Sequence, residues 1–129
     1  MKGYFINIEK TTLKNKYFRQ VLYTATNFQL VVMALKPGEE IGLEIHDKVD
    51  QFFRVEEGKG RVIIEGKSKT IAAGDAFIVP QGLHHNVVNT SKNKKLKLYT
   101  LYSPPNHRDG VIHKIKQEAE SDQTDIPGK

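Results

Sequence analysis

One stretch organises the chain: Pro37-Gly38-Glu39-Glu40-Ile41-Gly42-Leu43-Glu44-Ile45-His46-Asp47-Lys48-Val49-Asp50-Gln51. Apolar and polar residues alternate between positions 41 and 46, the pattern of an extended strand. Successive side chains of a strand point to opposite faces, so Glu44 and His46 project from the same face. A carboxylate beside an imidazole is compatible with a pair of metal ligands, an acid–base pair or a buried ion pair. The rest of the chain must discriminate among these three.

Length and composition indicate one globular domain. The chain has 129 residues, of which 38% are hydrophobic and 27% are charged. It has no run of about 18 apolar residues and no signal-peptide pattern at its start, so we expect neither a membrane span nor secretion. Cysteine is absent, which excludes disulfides and thiol chemistry and agrees with a cytoplasmic location.

The net charge of +5 and the pI near 9.4 raise the question of an anionic partner. The basic residues are dispersed apart from four lysines between positions 92 and 97, which follow Asn89-Thr90-Ser91 and suggest a solvated hairpin turn. No aromatic platform or recognition helix accompanies them, and no Gly-rich phosphate loop or nucleotide fingerprint occurs. We therefore expect a small-molecule ligand and no nucleic acid.

Short apolar segments separated by turn signals predict an all-β sandwich or barrel. The predicted strands are residues 18–24, 28–35, 41–46, 51–56, 61–65, 70–73, 76–79, 85–89 and 96–102, with a further edge strand at 4–8 and a turn at 11–16. The two halves share a plan of turn glycine, strand and histidine, which suits a double Greek-key jelly roll. We assign residues 1–115 to a single barrel and 116–129 to a polar, flexible tail with a short helical or irregular segment.

Four polar side chains are expected to meet inside this barrel. Gln51 follows His46 after a four-residue connection, and His85 lies on a later strand. Strands distant in sequence become neighbours across a jelly-roll interior. An apolar interior does not accept four such groups without compensation, and a divalent metal supplies it. The alternatives are a surface ion pair for Glu44 with His46 and an uninvolved polar residue at the strand end for Gln51.

The chemistry of this set limits the metal. Two imidazoles and one carboxylate with open positions form the ligand type typical of non-haem iron, and Gln51 adds a neutral amide oxygen. Mn or Fe is favoured, while Zn, Ni and Co also suit nitrogen and oxygen donors. One anionic ligand leaves the site at about +1, so it should attract anionic or enolate-forming substrates and polarise a carbonyl.

The spacings of these residues resemble the two cupin motifs. Gly38-x5-Glu44-x-His46-x4-Gln51-x6-Gly58 is similar to G-x5-H-x-H-x(3,4)-E-x6-G, and Gly74-x5-Pro80-x-Gly82-x2-His85-x3-Asn89 is similar to G-x5-P-x-G-x2-H-x3-N. The resemblance implies a single-domain cupin with its metal at these four positions. Glu44 replaces the usual first His and Gln51 replaces the usual Glu, so the carboxylate has changed position. A set of Gln, Glu and two His resembles that of cupin-type phosphomannose isomerases, in a different order along the chain.

Three functions remain open. The first is a metal-dependent enzyme with isomerase- or lyase-type Lewis-acid chemistry on a small anionic or carbonyl-containing molecule, or an iron-dependent dioxygenase. The second is a non-catalytic binding or sensing protein, and the third is a storage or structural barrel with a vestigial site. Fold alone does not choose among them.

No catalytic residue can be assigned from spacing, but several side chains are candidates for contact with a substrate. They are Phe53, His84, Tyr99 and His107, with Tyr102 a further candidate acid or base. Only one of His84 and His85 can face inward, and the spacing selects His85. The segment 104–113 is either a rigid exit loop or a flap that places His107, Arg108 or His113 near a bound anion.

The alternation also predicts a partner surface. If Glu44 and His46 point inward, then Ile41, Leu43 and Ile45 point outward, and Phe52 lies on the face opposite Gln51. An exposed apolar face requires a cover. We therefore expect a homodimer.

Overall fold

The computed structural model describes residues 2–127, and two antiparallel sheets form its framework. The first sheet has the strand order β6-β3-β8-β2-β1-β9, and the second has the order β5-β4-β7. The elements in chain order are α1 (Ile8–Lys14), β1 (Arg19–Thr24), β2 (Gln29–Leu35), β3 (Asp50–Glu57), β4 (Lys59–Ile64), β5 (Lys67–Ala72), β6 (Ala76–Val79), β7 (His85–Asn89), β8 (Leu96–Ser103), β9 (Ile112–His113) and α2 (Lys116–Ser121). The predicted all-β jelly-roll class is confirmed.

Strand β8 lies at the centre of the larger sheet. It pairs with β2 from Leu96↔Leu35 to Tyr102↔Gln29 and with β3 along its other edge. Its residues alternate strictly between buried and partly buried positions, as expected of a strand that turns one face to the core. The buried face packs against the smaller sheet and forms the hydrophobic core between the two layers.

Two glycines allow neighbouring backbone segments to approach each other closely. A Cβ atom at Gly58 would overlap the backbone carbonyl oxygen of Lys95, and Gly58 also has a positive φ of 92°. A Cβ atom at Gly60 would overlap the carbonyl oxygen of Val88. Only a residue without a side chain fits at these two positions, so the turn from β3 to β4 depends on glycine.

The prediction of a regular strand at residues 41–46 is wrong. The segment makes only two isolated bridges, Glu40↔Val88 and Glu44↔His85, beside β7. Between them Gly42 has a φ of 111°, and its N–H donates to the side chain of Asn86 instead of joining a strand ladder. This twist also turns Ile41 toward the core, against the expectation that it lies on the outer face.

The predicted edge strand at 4–8 and turn at 11–16 are also wrong, because helix α1 occupies the region. Asn7 caps this helix and accepts a hydrogen bond from the backbone N–H of Lys10 at 3.0 Å. Only Thr12 of the helix is buried, so the sequence carries almost no apolar periodicity there. The feature of the sequence that indicates this helix is its N-cap, Asn7, and not a hydrophobic periodicity.

The C-terminal segment contains β9 and α2, and the helix is short as expected. Met1 and the last two residues of the predicted tail, 128 and 129, lie outside the described residues. Within residues 2–127, no helix combines the length and the hydropathy needed to cross a membrane.

Candidate metal centre

Three of the four predicted ligands form a cluster between the two sheets. Glu44 and His85 are joined by reciprocal backbone hydrogen bonds of 2.8 and 2.9 Å, which hold their side chains side by side. The carbonyl oxygen of His46 accepts a hydrogen bond from the N–H of Gly82 at 2.8 Å, so the turn before β7 fixes that residue. The motif glycine at position 82 thus has a direct part in placing a ligand.

The distances within the cluster are too long for hydrogen bonds. Glu44 Oε1 lies 3.8 Å from His46 Nε2 and 3.9 Å from His85 Nε2, and all three ligand atoms lie within 4.8 Å of one another. A hydrogen bond requires about 2.7–3.2 Å. An ion about 2.1 Å from each donor would separate adjacent donors by about 3.0 Å and opposite donors by about 4.2 Å. The spacing therefore suits a shared ion after a small inward rotation, and it does not suit a hydrogen-bonded acid–base pair.

Buried histidine nitrogens without hydrogen-bond partners also indicate a shared ion. His46 Nε2 and His85 Nε2 are both buried and have no hydrogen-bond partner. His85 Nδ1 lies 3.1 Å from the carbonyl oxygen of Leu83. A carbonyl only accepts, so Nδ1 carries the proton and Nε2 presents its lone pair to the cluster. This second hydrogen bond on the ring is the usual way in which a protein orients a metal-binding histidine.

Gln51 completes the predicted set from β3. Its side chain is buried, and its Nε2 donates to Thr100 Oγ1 at 2.9 Å. Its Oε1 is buried and has no partner, so the amide is oriented with a free oxygen. Gln51 is the register partner of Tyr102, and the ring centroid of Tyr102 lies 5.9 Å from that of His46. Gln51 is therefore next to a residue that contacts the cluster.

The local electrostatics favour the protonation states that bind metal. Burial alone would raise the pKa of Glu44, but the neighbouring His46, Arg19 and His85 outweigh it and hold the pKa below its ordinary value. Burial also lowers the pKa of His85, with the Leu83 carbonyl opposing it. Near neutral pH the cluster thus contains an ionised carboxylate and a neutral imidazole.

A chain of hydrogen bonds runs from the C-terminal segment to Tyr102, whose ring lies beside His46 of the cluster. Asp125 Oδ2 lies 2.8 Å from His107 Nδ1, and His107 Nε2 lies 3.1 Å from the Tyr102 hydroxyl. The carboxylate accepts, so Nδ1 donates to it and Nε2 accepts the Tyr102 proton. Burial raises the pKa of Tyr102 and lowers that of His107. Of the predicted substrate contacts, His107 thus reaches the cluster only through Tyr102.

The other predicted substrate contacts have different surroundings. Phe53 is fully buried in the core, where its ring stacks on Phe77 at 4.6 Å. His84 is exposed and pairs with Glu65 at 3.1 Å. Tyr99 shares the outer face of the larger sheet with Phe52, with ring centroids 6.3 Å apart, because it is out of phase with Tyr102 along β8. The structure does not bring His84 or Tyr99 to the cluster.

The segment 104–113 is held as a rigid exit loop. The buried side chain of Gln29 accepts from the N–H groups of Asn106 and His107 and donates to the carbonyl of His107. His113 and Arg108 both lie near Asp122, at 2.9 and 3.8 Å. The three side chains expected to contact an anion in a flap therefore already have acidic partners.

Arg19 and Asp125 were not among the predicted site residues. Arg19 shares its strand parity with buried Val21, and this pattern indicates that its side chain faces the interior. Asp125 carried no such signal, because its contact with His107 depends on how the C-terminal segment returns to the barrel. A surface depression of about 570 Å³, lined by Gly58, Lys59 and residues 90–94, does not include any member of the cluster.

Several known proteins are similar to this chain. Residues 31–102 match the family described as Cupin domain. The protein YrkC of Bacillus subtilis (strain 168) is 45% identical over 125 residues, which cover 92% of this chain and 66% of YrkC. This chain therefore spans slightly less than two thirds of that relative.

Two solved structures extend the comparison. The crystal structure of BH2720 from Bacillus halodurans superposes with a TM-score of 0.91 at 39% identity and covers 94% of this chain and 96% of that one. A predicted oxalate decarboxylase from Thermotoga maritima has a TM-score of 0.56 at 28% identity, over 58% of this chain and 64% of that one. The first match includes nearly every element described above.

Proposed function

Because the chain belongs to the cupin family, we propose that it is a metal-dependent enzyme that performs isomerase- or lyase-type chemistry on a small anionic or carbonyl-containing molecule. One observation carries the proposal: the buried Nε2 atoms of His46 and His85 and the buried Oε1 of Gln51 have no hydrogen-bond partner, and the two histidines lie beside the ionised Glu44. Buried polar atoms are normally satisfied, so such atoms require a ligand. Their nitrogen and oxygen character fits Mn(II) or Fe(II) first, then Zn, Ni or Co.

Each residue of the site would have a distinct role in this chemistry. A bound divalent ion acts as a Lewis acid that polarises a carbonyl oxygen and stabilises negative charge. Glu44 supplies the anionic ligand, and Leu83 fixes the His85 ring so that Nε2 faces the site. Gln51 has a neutral amide that cannot take a proton, which excludes it as a general base. Tyr102, hydrogen-bonded to His107, carries an exchangeable proton, and its ring centroid lies 5.9 Å from that of His46.

The finer assignment is also part of the proposal. The ligand set of Gln, Glu and two His resembles that of phosphomannose isomerases of this family, which favours isomerase chemistry. The Thermotoga relative bears the name of a predicted oxalate decarboxylase, and decarboxylation is lyase chemistry on a small carboxylate. Both assignments use a metal that polarises an oxygen-rich small molecule.

A non-catalytic binding or sensing role is the second candidate. It is favoured by the state of Tyr102: its hydroxyl is buried and hydrogen-bonded to His107, and its pKa is raised above the ordinary value. A neutral, buried phenol is a poor acceptor for a substrate proton, so Tyr102 does not supply a general base. In that case the protein would bind a metal and a small molecule without converting that molecule.

Metal analysis tests the proposal. Protein purified without a chelator or a histidine tag should contain about one divalent ion per chain by mass spectrometry of the metals. His85→Ala should weaken metal binding by roughly 100-fold or more, since even outer partners of ligands cost about 10–100-fold. His84→Ala is the matched control, because the neighbouring exposed histidine should leave the metal content unchanged.

Little metal in the wild type, with no change in His85→Ala, would refute the metal site. If metal is present, conversion of sugar phosphates or small carbonyl acids distinguishes an enzyme from a binding protein. Metal binding without turnover of either class would support the second candidate.

A further inference from the structure

Arg19 is a buried cation without a salt bridge. It is the first residue of β1, faces the interior with Val21, and is only 6% exposed. Its Nε is buried without a hydrogen-bond partner, and no ion pair within 4.0 Å involves it among residues 2–127. The Phe18 ring centroid lies 5.3 Å from the guanidinium carbon, and the carboxylates of Glu44 and Asp125 interact with the charge only from beyond 4.0 Å.

This arrangement is costly unless an anion completes it. A guanidinium remains charged in proteins and carries five N–H donors. The contact with Phe18 stabilises the charge but accepts no hydrogen bond. Buried charges are paired in stable proteins, because an unpaired one loses its hydration without compensation. The missing partner should therefore be a bound anion.

Arg19 lines a cleft that also reaches the metal cluster. The cleft has a volume of about 160 Å³ and lies between the barrel and helix α2. It is lined by the polar residues Arg19 and Glu44, the apolar residues Phe18 and Ile41, and Lys116, Ala119 and Glu120 of α2. Glu44 is thus common to the cleft and the cluster, so one ligand in the cleft can contact both Arg19 and a metal bound by Glu44.

Charge and size define the ligand class. With a divalent ion present, the charges of the ion, Glu44 and Arg19 sum to about +2, which favours an anion. Drug-sized ligands usually occupy about 300–1,000 Å³, so a cleft of about 160 Å³ suits a much smaller molecule. A carboxylate matches the two parallel donors of a guanidinium.

We propose that Arg19 is the anion-binding residue of this cleft and that the ligand is a small organic carboxylate. Its carboxylate pairs with the Arg19 guanidinium while a second oxygen faces the metal side of Glu44. The inference rests on the proposed metal site for the second contact, but the contact with Arg19 stands by itself. It narrows the substrate class from any small anion to small carboxylic acids with a neighbouring carbonyl or hydroxyl.

Calorimetric titration of Mn(II)-loaded protein tests this with three probes. Pyruvate carries a carboxylate and an adjacent carbonyl, pyruvamide is its neutral counterpart, and inorganic phosphate is the competing anion. Wild type should bind pyruvate and not pyruvamide. Arg19→Met should weaken pyruvate binding by about 10- to 100-fold, the expected loss of a charge-assisted double hydrogen bond. Lys92→Met removes an exposed cation in the turn before β8, outside the cleft, and should have little effect.

Thermal unfolding separates this role from a structural one. Saturating pyruvate should raise the unfolding temperature of wild type and not that of Arg19→Met, because a ligand stabilises only a folded protein that binds it. An arginine with only a structural role would leave the shift caused by pyruvate equal in the two proteins. Arg19→Lys keeps the charge but loses the fork geometry, so it should retain weak pyruvate binding and serves if the Met variant does not fold.

Each outcome supports or overturns the proposal. Pyruvate binding that is absent in wild type, or equal in wild type and Arg19→Met, overturns it, and tighter Arg19-dependent binding of phosphate overturns the carboxylate assignment. Metal analysis of the same samples keeps the two proposals apart. A protein that takes up no Mn(II) but binds pyruvate through Arg19 refutes the metal site alone. A protein that takes up Mn(II) but does not bind pyruvate refutes the Arg19 site alone.

Discussion

At the scale of the residue, Gln51 shows how an amide can serve where a carboxylate would be costly. Its Nε2 is committed to Thr100, which leaves Oε1 as the free acceptor. Glu44 already contributes a negative charge nearby. A second carboxylate at position 51 would repel it in the absence of metal, while a neutral amide adds a donor atom at no charge cost.

The variant Gln51→Glu should make the protein depend on metal for its stability. Without metal, a buried carboxylate beside Glu44 should lower the free energy of unfolding by about 3 kcal/mol or more. Added Mn(II) should restore stability, because a second anionic ligand strengthens binding. Thermal unfolding in a chelator and in excess Mn(II) measures both effects.

Gln20→Glu is the control for this variant, since Gln20 lies on the same strand as Arg19 but is out of phase with it and only partly buried. A chelated Gln51→Glu protein as stable as wild type would show that position 51 does not face the cluster.

At the scale of the element, the C-terminal segment is attached to the barrel by paired histidines and aspartates. Asp125 contacts His107 and also accepts from the backbone N–H of Arg108 at 2.7 Å. Asp122 contacts His113 at 2.9 Å. These contacts fix α2, whose Ala119 packs on the core and covers the cleft above Glu44. Acid should therefore weaken the His–Asp contacts that hold α2 beside the cleft.

The stability of the protein should decrease on acidification in two stages. Burial lowers the pKa of His107 from its ordinary 6.5, so the folded state prefers the neutral ring. That preference stabilises the fold fully above pH 6.5 and is lost as the pH falls toward the folded-state pKa. Burial alone would raise the pKa of Asp125, but its His107 and Arg108 contacts lower it below 3.8. Its contribution is complete above about pH 4 and disappears below the folded-state pKa.

The variant Asp125→Asn should reduce the second stage and cost about 1 kcal/mol at pH 7, because a charged acceptor becomes a neutral one. Urea unfolding between pH 3 and pH 8 measures the profile. Asp109→Asn, an exposed site in the preceding loop, should reproduce the wild-type curve. An unchanged profile in Asp125→Asn would mean that the His107 contact does not contribute to stability.

At the scale of the whole molecule, the outer face of the larger sheet carries an apolar row. Ile78 pairs with Phe52, Phe52 with Leu101, and Leu101 with Leu30, so four strands contribute one side chain each. Ile78 is 62% exposed, and the other three are partly buried. Leu43 and Ile45 are also exposed, as the alternation predicted. The homodimer stays a prediction, and this row is the surface we expect it to use.

Light scattering coupled to gel filtration tests the assembly. The wild type should elute as a dimer, and Ile78→Asp should shift it to a monomer, since a charge in an apolar contact loses its hydration without a partner. Ile112→Asp changes an isoleucine of similar exposure on β9, at the other edge of the sheet, and should leave the dimer intact. A monomeric wild type would refute the expectation.

Local patterns in the sequence were sufficient to predict most barrel strands between residues 18 and 103 and three clustered ligand positions. Strand parity is local, and the spacing of glycines and histidines sets where each turn returns the chain. For this reason the sequence alone predicts that Glu44, His46 and His85 lie together. It places Gln51 with them, and the free Oε1 of that residue agrees with the placement without establishing ligation.

Other features depend on contacts that appear only in the folded chain. The irregular path of residues 41–46 depends on a bond from Gly42 to Asn86, 44 residues away. The attachment of the C-terminal segment depends on Asp125 reaching His107, 18 residues away. Its position along β1 predicts that Arg19 faces inward, but only the tertiary structure shows that this buried charge has no salt bridge. Such features arise from contacts between distant segments, which no local pattern encodes.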